Sequence, residues 1–427
     1  MANKITLTAT GVATTVADWV NARAPALMPM YRKHMTEYYA PKNFNIWYIF
    51  GVLATVAIAN QIITGIFLTM HFKPSVAEAF GSIEYIMRDV EWGWLIRYMH
   101  STGASLLFVV IYLHMFRGLM YGSYQKPREL VWLLGMVIYL VLMAEAFMGY
   151  VLPWGQMSYW GAKVIISLFG AIPVIGTGLT EWIMGDFNPG DATLNRFFAL
   201  HVIAMPLVLL LLIVLHLGAL HEVGSNNPDG VEIKKGPKGN RWSPSAPADG
   251  VPFHPYYTVK DTFYIGIFLI IAAFIIFFAP TFGGWFLEHD NFTVANPLVT
   301  PAHIKPVWYF TPYYAMLRVI PSFFGIKLWG VIVMFGAIVM LFLVPWLDKS
   351  RVKSYRYRGL LSWAMLLMFA TCFLWLAKIG AGPGTDPVEA IIGRVLTFLY
   401  FAFFITMPVW TKLDRTKPVP ERVTMHD

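Results

Sequence analysis

The sequence predicts an all-α integral membrane protein with eight transmembrane helices. The first four form a four-helix bundle, and interfacial helices lie on the outer side. Three observations carry this prediction. The 427 residues are 57% hydrophobic and only 13% charged, with mean hydropathy +0.57, which excludes an ordinary soluble enzyme. Eight apolar runs are long enough, or nearly so, to cross a bilayer. Two of those runs each carry two histidines at nearly the same interval, His100 and His114 in one, His201 and His216 in the other.

Taken in order, the predicted spans are Trp47–Met70, Trp94–Tyr121, Val131–Tyr150, Leu194–Leu220, Thr262–Ala279, Lys327–Val344, Leu360–Ala377 and Ala390–Met407. Before them, residues 1–44 read as a cytoplasmic segment without a signal-peptide pattern, in which Ala13 to Tyr39 is apolar and basic enough for a surface-lying helix. Residues 45–222 then hold the bundle, 223–258 a polar cytoplasmic loop, 259–410 a second four-span domain, and 411–427 a cytoplasmic tail. Basic residues crowd alternate connections. Examples are Lys234, Lys235, Lys238 and Arg241 after span four, and Lys349, Arg351, Lys353, Arg356 and Arg358 after span six. By the positive-inside rule both termini are cytoplasmic, and the net charge of +8 reflects topology rather than nucleic-acid binding. Two outer connections, Val151–Thr193 and Thr281–Gly325, are too apolar for free loops and are expected to cap the outer surface. The single cysteine, Cys372, excludes an internal disulfide, and no C-x-x-C-H stretch exists for covalent heme attachment.

The histidines carry the chemistry. His100 and His114 are 14 residues apart, which leaves them within roughly 40° of one helix face and roughly 21 Å apart along the axis. His201 and His216 are 15 apart, roughly 60° off the same face. Spans two and four run in the same direction, so His100 pairs with His201 near the outer level and His114 with His216 near the inner level. Neutral imidazole is a common axial ligand of heme iron, and ionisable groups inside a bilayer are costly enough to signal function. The same ruler recurs in glycine: Gly51 and Gly65 in span one, Gly135 and Gly149 in span three. Small-residue packing would explain glycines alone. The shared interval favours backbones brought close to a flat macrocycle.

From about Asn45 to about Trp410 the chain resembles cytochrome b of the bacterial quinol:cytochrome c oxidoreductase, the cytochrome bc complex. The resemblance rests on RYMH at Arg97–His100, GYVLPWGQMSYWGA at Gly149–Ala162, RFFALH at Arg196–His201, HEVGSNNPDG at His221–Gly230 and HPYYTVKD at His254–Asp261. It implies two non-covalent b hemes, the outer of low and the inner of high potential, with Arg97, Arg117 and Arg196 meeting their propionates. It implies quinol oxidation at an outer pocket of Phe147, Tyr150, Gly161, Pro306, Tyr309 and Tyr314. Quinone reduction is expected at an inner pocket of His221, Ser225, Lys260 and Asp261. A Rieske-type iron–sulfur protein, a membrane-anchored c-type cytochrome, the quinone pool and a homodimer in the inner-membrane bilayer follow as expected partners.

Two features depart from the family pattern. The family's Pro-Glu-Trp-Tyr stretch, whose glutamate takes a quinol proton, is here Pro306-Val307-Trp308-Tyr309. Glu145 is the expected substitute, because an intramembrane acid one turn before Gly149 and close to Tyr150 would serve as a base; Glu288, His289 and Asp290 are its competitors. The 15-residue histidine interval resembles the split photosynthetic relative, yet one continuous eight-span chain fits the bc type. Two rivals are a transporter, which would need interrupted spans, and a diheme anchor of another quinone oxidoreductase, which would leave the elaborate outer connections unexplained.

Overall fold

The computed structural model describes residues 16, 18–233, 249–322 and 328–425. Lys234, Lys235, Lys238 and Arg241, and the first part of the Ala13–Tyr39 surface helix, lie outside the described residues. Eight helices are long and apolar enough to span a membrane: α1 Ile46–Thr69, α2 Gly93–Met120, α3 Glu129–Val151, α4 Asp191–Val223, α5 Phe253–Phe278, α6 Leu328–Leu347, α7 Leu360–Ala381 and α8 Pro387–Ile405. They match the predicted runs to within a few residues, except that α5 starts well before Thr262. There a π turn over Phe253–Tyr257 runs directly into the helix, carrying a polar stretch that hydropathy alone assigns to the loop. The N-terminal segment forms a short helix, Leu27–Tyr31, with no buried residue.

Packing divides the spans. α1 lies against α2, α3 against α4, and α7 against α8, while α5 leans on α1 and α2 and α6 on α3. Many large apolar side chains of α4 and α5 face outward, among them Leu207, Leu211, Val214, Phe263, Ile270 and Phe274. In a water-soluble protein such faces would be liabilities, but in a bilayer lipid tails are their solvent.

The outer connections fold into short helices, Gln156–Ser167 and Gly176–Met184 in the first and Thr311–Val319 in the second. They are tied together at the Pro153-Trp154-Gly155 turn: Gln156 N–H donates to the Thr293 carbonyl and Ala295 N–H to the Trp154 carbonyl. Gly155 permits this approach, since a Cβ there would strike Asn291. On the opposite face two short strands, β1 Tyr39–Pro41 and β2 Gly250–Pro252, pair antiparallel, with Ala40 opposite Val251. They clamp the N-terminal segment to the start of α5.

Candidate functional site

Two histidine pairs occupy two levels of the α1–α4 bundle. The rings of His100 and His201 have centroids 6.2 Å apart, and those of His114 and His216 are 6.5 Å apart. Two metal–imidazole bonds of roughly 2 Å each, plus the inner halves of two rings, account for such a separation. Among the described residues no cluster of three or more His, Cys, Asp or Glu side chains could hold a metal ion. Each level brings two imidazoles within reach of one metal ion.

The unequal intervals have a structural cause. His201 lies in a π turn, Leu200–Ala204, just before Pro206. Proline supplies no backbone N–H for the helical ladder, and a π turn absorbs one extra residue. The 15-residue interval of α4 thus works as the 14-residue interval of α2 does.

The four glycines back the four histidines one for one. A Cβ placed on Gly51 would stand 3.5 Å from His114 Cε1, on Gly65 3.2 Å from His100 Cε1, and on Gly135 3.3 Å from His216 Cε1. On Gly149 it would overlap the His201 ring. Spans one and three therefore hold each imidazole edge against bare backbone. Arg117, at the inner end of α2, stacks over Tyr48 at 4.8 Å, and its buried Nε has no partner among the described residues. That orphaned donor fits a propionate. Arg97 is half-buried one turn before His100. Arg196 is exposed and donates to the Trp182 carbonyl instead of pointing between the histidines.

On the outer side, Tyr150 donates a 2.6 Å hydrogen bond to the Glu288 carboxylate. Glu288 is only 4% exposed; burial pushes its carboxyl up to about 7, against the opposing hydrogen bond from Tyr150. Tyr309 is buried, stacked on Phe108 at 3.8 Å, with its carbonyl accepting from the Tyr112 hydroxyl. A Cβ on Gly161 would lie 3.9 Å from Tyr150. Tyr314 bonds the Ile304 carbonyl and lies under Arg318. Pro306 is half-buried, and Val307 is packed into the core. Phe147 packs on Phe197 of α4.

Glu145 lies beside His201 and not beside Tyr150. Its Oε1 lies 3.0 Å from His201 Nδ1, and its own carbonyl accepts from the same nitrogen at 3.0 Å. The reason is helical periodicity. Glu145 is one turn before Gly149 and shares its histidine-facing side, whereas Tyr150 is about 140° further round. The carboxylate beside Tyr150 belongs to Glu288, in a loop whose path no periodicity reveals.

On the inner side a cleft of about 300 Å³, including its open mouth, is lined by Phe44, Asn45, Tyr48, Ile49, Phe253, Tyr257, Lys260 and Asp261. Lys260 donates to the Phe44 carbonyl at 2.8 Å. His221 and Ser225 are not in this lining. They gather around Tyr38, whose ring lies 4.7 Å from His221 and whose hydroxyl meets Ser225 Oγ at 3.1 Å. Tyr38 in turn packs against Phe253 of the cleft. Sequence reasoning missed the aromatic wall and Thr64, whose hydroxyl lies 2.9 Å from His100 Nδ1. Thr64 directly precedes Gly65, which was its one sequence signal.

The fold and these two levels define a multi-pass membrane protein of the paired-histidine class. Residues 35–224 match the family described as Cytochrome b/b6/petB, and residues 294–401 the family described as Cytochrome b(C-terminal)/b6/petD. The chain is 60% identical to "Cytochrome b" of Allochromatium vinosum, over 95% of this chain and 98% of that one. It is 43% identical to "Cytochrome b" of Rhodobacter capsulatus, over 96% and 94%. Its fold is similar to a chain of a solved "Hyperthermophilic respiratory Complex III", with TM-score 0.84 and 40% identity over 93% of this chain and 98% of that one. This chain belongs to the cytochrome b family, and its unbroken match to single-chain relatives sets it with the bc type.

Proposed function

We propose that this chain is the heme-carrying subunit of a complex III-type quinol:cytochrome c oxidoreductase. It would oxidise quinol at the Tyr150–Glu288 pocket and deliver one electron across the bilayer to quinone at the Asp261 cleft. The observation that carries this reading is the pair of histidine couples at two depths, each ring backed by its own glycine. His100 with His201 would hold the outer heme and His114 with His216 the inner one, with Arg97 and Arg117 available to propionates. Bound there, hemes supply one-electron carriers insulated by apolar side chains.

The protein's own residues handle quinone and protons. Tyr150, Gly161, Pro306, Tyr309 and Tyr314 would shape the outer pocket. The Glu288 carboxylate would receive a quinol proton there, relayed by the Tyr150 hydroxyl that donates to it, in place of the carboxylate missing at Val307. At the inner cleft Asp261 and Lys260 would supply protons and orient a quinone carbonyl, with His221 and Ser225 at its rim. The second electron of each quinol would leave through a Rieske-type iron–sulfur partner to a membrane-anchored c-type cytochrome. The complex would be a homodimer in a bacterial inner membrane, both termini cytoplasmic, releasing protons outside and taking them up inside.

The test is a reduced-minus-oxidised spectrum with redox titration of the purified complex. Two b-type components are expected, and His201→Ala should remove one of them together with quinol:cytochrome c reductase activity. Absence of b-type signals in the native complex, or both components surviving in His201→Ala, would overturn the assignment.

A further inference from the structure

The four histidines differ at the nitrogen that faces away from the metal position. At the outer level both Nδ1 atoms are engaged. Thr64 donates its hydroxyl hydrogen to the Asn60 carbonyl at 2.6 Å, leaving its oxygen to accept from His100 Nδ1 at 2.9 Å. His201 Nδ1 donates to the Glu145 carbonyl at 3.0 Å and lies 3.0 Å from the carboxyl Oε1 of the same residue. At the inner level, His114 Nδ1 is buried without a partner among the described residues, and His216 has the Val131 backbone carbonyl within reach but no carboxyl beside it. The other Glu145 oxygen, Oε2, is also buried without a partner. His201 is the one group within ion-pair distance of this acid among the described residues.

An intramembrane carboxyl with no Lys or Arg beside it is expensive, so its placement against one of four ligands calls for a role. A hydrogen bond or negative charge at the far nitrogen of an imidazole makes the ring a stronger electron donor to its metal, and outer-shell hydrogen bonding is one of the levers on heme potential. A negative charge near the iron also favours its oxidised, more positive form. From this asymmetry we infer that Glu145 is a positioning residue that acts through His201 to lower the reduction potential of the outer heme relative to the inner one. The inference rests on the heme assignment made above. It gives the acid in α3 a redox function and leaves proton acceptance to Glu288.

The test compares Glu145→Gln and Glu145→Ala with the native complex by potentiometric titration of the two b components. Heme content and the low-spin ferric resonance spectrum are read alongside. Gln keeps an oxygen at His201 but no charge, and Ala removes both. The expected result is a graded rise of the outer midpoint alone, Ala above Gln above native. The Ala shift should be about tenfold in electron partition between the two hemes, or ~59 mV for one electron, with an altered outer ferric signal. Thr64→Val should move the same component upward by a smaller amount. Unchanged midpoints in both Glu145 variants at full heme content would overturn the inference while leaving the heme assignment standing. Loss of the outer heme in Glu145→Gln would also overturn it, showing that the residue holds the ligand rather than tunes it. A native complex without b-type signals would instead remove the assignment itself.

Discussion

At the scale of single residues, the sharpest discrimination is among four glycines that look equivalent in the sequence. An added Cβ at Gly149 overlaps the His201 ring, whereas at Gly51 it makes ordinary contact, 3.5 Å from His114. Gly149→Ala should therefore abolish the outer b component, and Gly51→Ala should retain the inner one at near-native amplitude, both read from spectra of purified protein. Equal loss in the two variants would mean that backbone strain in the helices, not contact with the rings, sets the requirement. Glu288 governs a different readout. Burial raises its carboxyl from 4.5 to about 7, so near pH 6 it is mostly protonated and cannot accept from quinol. The outer-site rate should rise with pH through about 7, and Glu288→Gln should flatten that rise and slow the step by roughly 10²-fold, the lower end for loss of a general base. Because the folded chain binds this proton more tightly than the unfolded one, the residue's contribution to stability falls as pH climbs from 4.5 to about 7. A pH profile in Glu288→Gln identical to native would return the proton-accepting role to another group.

At the scale of elements, what was legible in the chain followed periodicity and hydropathy. Eight spans, the matching of His100 with His201 and His114 with His216, and the alliance of glycines with histidines all follow from counting along helices. Distances between elements do not. The Glu145 carboxyl, one turn before Gly149, lies on the histidine-facing side of α3, whereas Tyr150 turns toward Glu288 in another element. Glu288 reaches Tyr150 because Asn291 anchors its loop, accepting from Ser158 N–H at 2.9 Å, a contact between connections far apart in sequence. The inner cleft was half legible: Lys260 and Asp261 lie in it, whereas His221 is held near Tyr38 because its Nδ1 bonds the Leu217 carbonyl one turn back on α4. The cleft joins the inner level through Tyr48, which lines it and also carries Arg117. Asp261→Asn should accordingly slow reoxidation of the inner b component by quinone, leaving quinol-driven reduction of the outer component unchanged in stopped-flow traces. Normal inner reoxidation in that variant would place the protonating group elsewhere, with His221→Gln as the next variant to read.

At the scale of the whole molecule, the two family-matched halves are joined on the inner side by buried charge. Arg128, at the start of α3 and 2% exposed, grips Glu232 with two hydrogen bonds of 2.6 and 2.9 Å. Lys353 of the α6–α7 connection reaches the same carboxylate at 2.6 Å. Asp229 gathers Asn43, Arg356, Tyr357 and the tail residue Thr424. Deeper in, Asp348 and Arg358 pair at 2.5 Å with both side chains fully buried. Tyr124 and Gln125 of the α2–α3 connection donate to that same carboxylate. These contacts respond differently to loss. Burial alone would raise the Glu232 carboxyl, but Arg128 and Lys353 hold it down at about 2. Its stabilising effect is therefore complete above 4.5 and is lost as pH falls toward about 2. Its side chain is 36% exposed, so solvent screens the gain, and Glu232→Gln should cost about 1 kcal/mol or less at pH 7. Asp348→Asn is another matter. It leaves the Arg358 guanidinium buried with no counter-charge in contact, and breaking a buried pair from one side costs roughly 3–5 kcal/mol. In thermal unfolding of the detergent-purified complex, Asp348→Asn should lower the midpoint by several degrees more than Glu232→Gln. The double variant Asp348→Asn with Arg358→Met should recover much of the loss, because it removes the stranded charge. Equal small shifts in both single variants, or no recovery in the double, would show that these ion pairs do not hold the two halves together.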